Sequence, residues 1–519
     1  MTMRIGTPIR LGAPVDLYPD EWLHSAISRW AWQIFGVSRA ALFDTFGLST
    51  ISSTAISALG TRLLPELAAN ISYATRITEH RLRDSTMESL DRRLLLLNTR
   101  PDGQPSDGVS KRGPWSWQAG TRYCPDCLHH EPGVFRVHWR SPWAFTCTTH
   151  RRILLDACPS CQGEIVEMRG RNTDLFDPST CRANTAPRGA TRTIPCRAML
   201  EETWEHLRLD KDSMPMIAQE LIFSHSRVGT SMDFIRLLQS AATGLRGANV
   251  FDDIGTLSSL DSGELRGLFD DEKHVGISAP KSAYAMAALT GAACALVNAD
   301  EKSVKALIRR ATFARPPAHV PRAAGYGPGS PTELLTRWPG APYLFRTQIL
   351  RALDHDLTIG QRILWDTAVD PSTLAAHSHQ PVHRNKRWDC IPEQLWPAWC
   401  SRLDVGGKVD GPTLARALAT AVRVARTYGE SEPDDGKKLS AILRPNMRGT
   451  PEQTDQLLAG ISELAHTIDD GDCVINYPKR AHLPSAELLP RTHWELVAES
   501  VGIDPGAHRR HRNARRYLW

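Results

Sequence analysis

The chain has 519 residues, 41% hydrophobic and 23% charged, with 11 cysteines and 15 tryptophans, a length that holds about two to four domains of roughly 100–200 residues each. Sixty-two Lys and Arg against 57 Asp and Glu leave a formal net charge of +5, which excludes a whole-chain polycation and confines any nucleic-acid contact to local patches. Residues 1 to 15 offer no apolar core of signal-peptide length, and the longest uncharged apolar run, 283 to 297, is fifteen residues, short of the ~20 that a membrane span requires. A cytoplasmic, nucleoid-associated location is therefore expected, with no membrane partner, and there cysteines serve as metal ligands or inert thiols rather than disulfides.

From Tyr18 to Gly47 the pattern is helical. Leu23, Ile27, Trp30 and Ile34 recur at i, i+4, i+7 and i+11 as one apolar stripe, and Pro19 and Asp20 suit a helix start. Ser38 is placed to cap a second short helix through Leu42, Phe43 and Phe46, stopped at Gly47. The expected unit is a helical hairpin for core packing. Over 78 to 98, Arg81, Arg83, Arg92 and Arg93 are interleaved with Asp84, Glu88 and Asp91, the mark of a solvated helix face. A polar loop over 100 to 120 leads into the cysteine region, from Tyr123 to about Met199. Helices are then expected at 201–209, 214–223 and 232–245, followed by a connection over 246–280 rich in Gly, Asp and Ser. A buried Ala-rich helix, a helix over 301–313 and a Pro/Gly-rich linker over 315–331 come next. Helical character returns at 344–353, 361–368, 392–403, 413–428 and 451–467.

Seven of the eleven cysteines lie between Cys124 and Cys196. Cys124-Pro-Asp-Cys127, Cys147-Thr-Thr-His150 and Cys158-Pro-Ser-Cys161 each place two residues between ligands, the spacing of a zinc knuckle, in which a tight turn lets both side chains converge on one ion. The nineteen residues between Cys127 and Cys147 are enough for a β-hairpin to bring the second pair back. Cys124, Cys127, Cys147 and His150 thus form a set of three thiols and one imidazole. A redox dithiol shares the Cys-x-x-Cys spacing, but no thioredoxin-like βαβ pattern surrounds these pairs. The second set is Cys158, Cys161, Cys181 and Cys196. Its alternative leaves Cys181 or Cys196 as a core thiol, with His129, His130 or His138 substituting. Both sets have four protein ligands and no position for a catalytic water, so two structural Zn2+ per chain are expected. Cys294, Cys390, Cys400 and Cys473 remain as plain thiols.

The order Tyr123-Cys-Pro-x-Cys127, Phe135-Arg-Val-His-Trp139, Cys147-x-x-His150, Arg151-Arg-Ile-Leu-Leu-Asp156 and Cys158-Pro-x-Cys161 resembles the TniQ/TnsD family. Its members are zinc-finger target-selection adaptors of bacterial transposons. Cys181-Arg-Ala-Asn-Thr-Ala-Pro and Ile194-Pro-Cys196-Arg-Ala-Met-Leu200 resemble the second-finger tail of actinobacterial-type members. Two departures stand out: Tyr18-Pro-Asp-Glu-Trp22 replaces a Pro-Gly-Glu-Ser-like turn, and Cys196-Arg197 replaces the usual Cys-Gly. The resemblance implies a mainly α fold with two small zinc-ribbon or zinc-knuckle modules, a helical N-terminal hairpin and a helical C-terminal half with helix-turn-helix-like modules. It implies DNA, a transposon ATPase regulator (TnsC/TniB-like) and a transposase as partners, with a CRISPR effector and homodimerisation in some members. The divisions expected are 1–210 for the TniQ-like domain with fingers at about 121–200, 211–330 for a helical subdomain and linker, and 331–519 for a DNA-binding region.

Three basic patches are candidates for phosphate contact. Arg136, Arg140, Arg151 and Arg152 surround Trp139 and Trp143, which also suit a small core. Arg384, Lys386 and Arg387 precede a Trp-rich helix, as the entry of a helix-turn-helix does. Arg509, Arg510, Arg512, Arg515 and Arg516 put five arginines into eight residues without an acid. Chemistry is sparse by comparison: no Walker-type phosphate loop is present, no carboxylate triad assembles, and Asp354-His355-Asp356 reads as a capping arrangement. A non-enzymatic adaptor for target-site selection in transposition is expected. The alternatives are a free-standing DNA-binding regulator or defence protein that reuses the domain, and an adaptor for a CRISPR effector complex.

Overall fold

A computed structural model describes residues 5–313 apart from breaks at 100–104, 111–113, 117–119, 166–172, 186–193, 203–207, 230, 249 and 271–278. Beyond 313 it describes 384–403, 411–425, 451–471, 476–481, 490–500 and scattered positions over 338–365 and 502–506. The chain divides into two compact units. One is Met1–Ala324 with Leu335–Pro342, and the other is Gly325–Leu334 with Tyr343–Trp519.

The first unit starts with short helices. Helix α1 (Leu23–Arg29) passes without a break into a π-helical turn, Trp30–Phe35, then α2 (Arg39–Thr45), α3 (Ser53–Ala58), α4 (Pro65–Thr75) and α5 (Glu79–Asp84) follow. Leu23, Ile27, Trp30, Phe43, Phe46 and Ile71 meet in one core. Ser38 caps α2 as its position predicts, its Oγ accepting from the Ala41 amide at 3.3 Å. Ile34 departs from expectation and is exposed. The wider π turn adds a residue between Trp30 and Phe35, so the apolar stripe that holds at 3.6 residues per turn loses its register after Trp30. Within 78–98 the helix is also shorter than its charge pattern implied, because Leu90, Leu94 and Leu95 turn inward after a 3-10 turn at Met87–Leu90.

Helices α6 (Pro125–His130), α7 (Met214–Val228), α8 (Ser231–Gly247), α9 (Phe251–Ser258), α10 (Ser262–Asp270), α11 (Ala283–Asn298) and α12 (Glu301–Phe313) complete this unit. The Ala-rich α11 is its axis, packed by α7, α8 and α9, and buried along nearly its whole length as its composition requires. The expected connection over 246–280 instead contains α9 and α10. Phe251, Ile254, Leu265 and Phe269 are buried there, the two phenyl rings stacked at 5.7 Å, while Asp252 and Asp253 sit in the first turn of α9, where acids favour the helix dipole. Gly244 of α8 faces Trp338, and a Cβ there would lie 2.2 Å from the indole, so the bare backbone is what admits the tryptophan.

In the second unit the helices Gly411–Val424 and Pro451–Asp470 pack with Ile359–Trp365, Arg384–Cys390 and Pro397–Leu403. Cys390 is disulfide-bonded, not a plain thiol, and Cys473 and the linker over 315–331 lie outside the described residues. Among the described residues no helix is long and apolar enough to cross a membrane.

Candidate metal centres

Proline at the first position of α6 suits the start of a helix, and this start directs Cys124, the N-cap residue, and Cys127 toward one point. The second pair comes from a hairpin. Strand β1 (Thr146–Cys147) pairs antiparallel with β2 (Arg152–Ile153), Cys147 opposite Arg152, and the intervening turn closes through Arg151 at φ +51°. The His150 amide donates to Cys147 Sγ at 3.4 Å. Cys127 and Cys147 sulfurs stand 3.7 Å apart, and His150 Nδ1 lies 3.5, 3.3 and 3.5 Å from the sulfurs of Cys124, Cys127 and Cys147. Bond lengths of about 2.3 Å to thiolate and about 2.0 Å to imidazole give tetrahedral edges of about 3.8 and about 3.5 Å. The donor set therefore fits a zinc-sized ion. The nineteen residues between Cys127 and Cys147 are not a β-hairpin. They carry α6, a 3-10 turn at Val137–Arg140 and the buried Trp139, Trp143 and Phe145; the hairpin lies inside and after the second pair.

The other set converges too. Cys158 and Cys161 flank a turn in which the Cys158 amide donates to Gly163 O at 2.9 Å, and the Gly163 amide donates to Cys161 Sγ at 3.4 Å. A Cβ on Gly163 would stand 3.2 Å from that sulfur and 2.5 Å from Ala183 Cβ. Cys181 and Cys196 face each other although fourteen residues separate them, because strands β3 (Asn184–Thr185) and β4 (Ile194–Pro195) pair antiparallel. The Cys196 amide donates to Ala183 O at 3.0 Å, and that of Cys181 to Ala198 O at 2.8 Å. Sulfur separations of 3.9 Å (Cys158 to Cys196) and 3.8 Å (Cys161 to Cys181) repeat the tetrahedral edge. His129, His130 and His138 belong to neither set.

Each centre concentrates thiols that cannot all ionise without a cation. Hydrogen bonds from Cys124 and Cys127 hold Cys147 well below the usual thiol range, whereas the bonds Cys127 shares with Cys124 and Cys147, together with burial, push Cys127 up. Burial also raises Cys181. A divalent ion held by these residues would take the place of those protons and supply the counter-charge, and its binding free energy would become folding free energy.

Two buried polar side chains tie the first centre to the helices that follow. Gln219 of α7, 0% exposed, accepts from the amides of Phe145 (2.8 Å) and Thr146 (3.1 Å) and donates to Trp143 O at 2.9 Å. It thus acts as a neighbouring strand for the segment that delivers Cys147. Arg122 donates to Asp156 Oδ1 at 2.7 Å, to the carbonyls of Pro142 (2.7 Å) and Ala144 (2.9 Å), and to Lys281 O at 3.2 Å. Asp156 Oδ2 accepts from the Ala283 amide at the start of α11 at 2.6 Å. Sequence reasoning missed both anchors. Gln219 had a signal: it lies on the same stripe as Met216 and Ile222, a polar residue where the helix period demands an apolar one.

Residues 14–154 match the TniQ family model. Residues 14–154 are a TniQ domain. No curated protein matches the chain. The TniQ segment holds the N-terminal helices and the entire first centre, with its three cysteines and His150, and it ends before the four-cysteine centre begins at Cys158. Within it the two parts are joined directly. The Trp22 amide donates to Phe135 O at 2.8 Å, the Val137 amide to Asp20 O at 2.8 Å, and Ser25 Oγ to Gly133 O at 2.7 Å. Glu21, fully buried, pairs with Arg29 at 2.8 Å. Both departures from the family pattern have a backbone signature: Asp20 and Arg197, at the positions where glycine is usual, have φ of +58° and +59°.

The basic patches fare unequally. In the TniQ domain Arg136 pairs with Glu131 and donates to Pro19 O. Arg140 is buried, donates to Gly120 O at 2.6 Å and lies over the Trp22 ring at 5.1 Å, and Arg152 is buried against Asp126 at 3.0 Å. Trp139 and Trp143 are core, with Trp143 stacked on Trp115 at 5.5 Å. In the second unit Arg387 is 0% exposed, bonded to Asp469 at 2.7 Å and to the carbonyls of Val422 and Ala425. Arg140 and Arg387 are thus internal cations, buried against carbonyls, carboxylate or ring, a correction to their expected role at phosphate. Arg384 and Lys386 lie on the helix Arg384–Cys390. Arg509, Arg510, Arg512, Arg515, Arg516 and the Asp354-His355-Asp356 run lie outside the described residues.

Proposed function

We propose that this chain is a non-enzymatic, zinc-stabilised adaptor that selects DNA target sites in bacterial transposition. The observation that carries the reading is the coincidence of the TniQ match with a closed four-ligand centre inside it. A role in a transposition complex follows from the domain; zinc as the ion, DNA as a ligand, and an ATPase regulator and transposase as partners are the further steps proposed here. Zinc held by four protein ligands supplies folding energy rather than a reactive water. This chain's own residues do the rest: Gln219 and Arg122 hold the knuckles against the helices, leaving exposed faces for partners. Basic residues outside the metal centres, with Arg384, Lys386 and the terminal arginines among them, provide the attraction for DNA.

Affinity capture of the full-length protein from its native host, with identification of bound protein and nucleic acid, tests the reading. Recovery of a transposition ATPase and DNA is the expected outcome. Capture of a CRISPR effector alone, or of no transposition protein, would replace target selection with one of the other adaptor roles.

A further inference from the structure

A groove of about 690 Å³ opens in the first unit between the TniQ helices, the Cys147–His150 turn and the end of α7. Arg93 and Arg227 line it and are exposed, and among the described residues neither guanidinium has an ion-pair or hydrogen-bond partner. Thr146 lines the same groove, is 1% exposed, and its Oγ1 has no hydrogen-bond partner. Buried hydroxyls are rarely left unpaired, because desolvating one without compensation is costly. An acceptor bound in the groove would supply the partner that Thr146 lacks. Thr148 and Thr149 extend the hydroxyl wall, and Phe223 adds an aromatic ring. The acids on the wall, Asp20 and Asp84, hydrogen-bond to His138 and His80, and three arginines, Arg93, Arg136 and Arg227, line the groove with them.

We propose that this groove binds the phosphodiester backbone of a nucleic-acid strand, with Arg93 and Arg227 on phosphate oxygens and Thr146 Oγ1 donating to one of them. The proposal rests on the DNA-binding reading above and gives it a location. Guanidinium groups match phosphate oxygens in a planar fork, and hydroxyls beside an aromatic ring suit a repeating anion that carries bases. A lone carboxylate from an acidic protein segment would use the cations and leave the rest of the wall idle.

The test uses full-length, zinc-loaded protein and fluorescence anisotropy with labelled duplex and single-stranded oligonucleotides over a range of salt. The double variant Arg93→Ala/Arg227→Ala is expected to reduce the slope of log affinity against log salt by roughly 1.8 on duplex or roughly 1.4 on a single strand, and the form that shows the change is the ligand. Thr146→Val is expected to weaken binding on the order of tenfold without lowering the melting temperature, since the hydroxyl it removes has no partner in the free protein. If wild-type protein binds DNA and both variants keep its affinity and slope, the groove is overturned while the adaptor reading stands. If wild-type protein binds no nucleic acid, both fall. Labelled polyglutamate that binds through Arg93 and Arg227, with DNA binding untouched in the double variant, would assign the groove to an acidic protein and overturn the proposal.

Discussion

Replacing Gln219 with leucine keeps the volume of a buried side chain and removes three hydrogen bonds at once. The amides of Phe145 and Thr146 and the carbonyl of Trp143 all bond to this one side-chain amide, in a region where Gln219, Phe145 and Trp143 are each 0% exposed. Each backbone group left buried without a partner costs about 1–3 kcal/mol, so the substitution is expected to destabilise the first unit by about 3 kcal/mol even after the gain from burying a more apolar side chain. At about 2 °C per kcal/mol for a folded unit of this size, the melting temperature should fall by about 6 °C. Because Thr146 and Cys147 form one strand, that loss should also reach the metal: the centre that includes His150 should release its ion to a chelator faster than the four-cysteine centre does. Thermal melts followed by circular dichroism, with zinc release read by a chromogenic chelator, measure both effects. A leucine variant that melts within about 1 °C of the parent and surrenders both ions at the parental rates would refute the argument that Gln219 holds this strand. Gln219→Glu sharpens the comparison, since its carboxylate accepts from the two amides but has no donor for Trp143 O, and so should be no more stable than leucine.

Elemental analysis is expected to find two zinc per chain, and Cys124→Ser to lower this to one and unfold the N-terminal helices; a variant that keeps its near-ultraviolet dichroism with one ion missing would separate metal from fold. Gly163→Ala should empty the four-cysteine centre alone, because the added methyl meets Cys161 Sγ and Ala183 Cβ, an outcome that metal counting after dialysis checks. Arg197 is exposed with φ +59°. A left-handed conformation costs a side-chain-bearing residue about 1–2 kcal/mol, so Arg197→Gly should stabilise by about 0.5–1 kcal/mol after the entropy of glycine is counted, and a denaturant melt that shows a loss would contradict the strain. Tyr284 is pushed up to about 12, chiefly by burial. The stability from keeping this phenol neutral is complete below its ordinary value of 10.0 and is lost as pH rises through about 12. Tyr284→Phe should therefore make alkaline unfolding less steep, and an unchanged alkaline profile would assign that unfolding to other groups.

The metal centres were the most legible part of the sequence, for a local reason: each of three ligand pairs spans only four residues of chain, where turn geometry alone decides that its two members meet. Cys181 and Cys196 were harder, because their meeting depends on the β3 and β4 pairing, which two-residue strands leave almost no pattern to announce. Helices α9 and α10 were read as a connection because Gly, Asp and Ser dominate their composition, while the apolar spacing of Phe251, Ile254 and Leu265 carries the burial. The π turn was illegible, since the same residues satisfy an α-helical stripe until Ile34 falls outside it. Arg387 shows the limit of counting charge: beside Arg384 and Lys386 it looks like part of a basic face, yet Asp469, more than eighty residues away, decides that it points inward.

Asp156 lies just past the end of the family match and serves both sides of it, holding Arg122 with one oxygen and the first amide of α11 with the other. The inherited module and the cooperative one therefore differ in length, the match ending at residue 154 while the compact unit runs on to Ala324. Exchange of parts between relatives is constrained accordingly. A TniQ segment transplanted at its recognisable edges would bring Arg122 and the Trp143 carbonyl but leave Asp156 and Gln219 behind, so a functional chimera needs its crossover placed beyond α12 rather than at the boundary that descent marks.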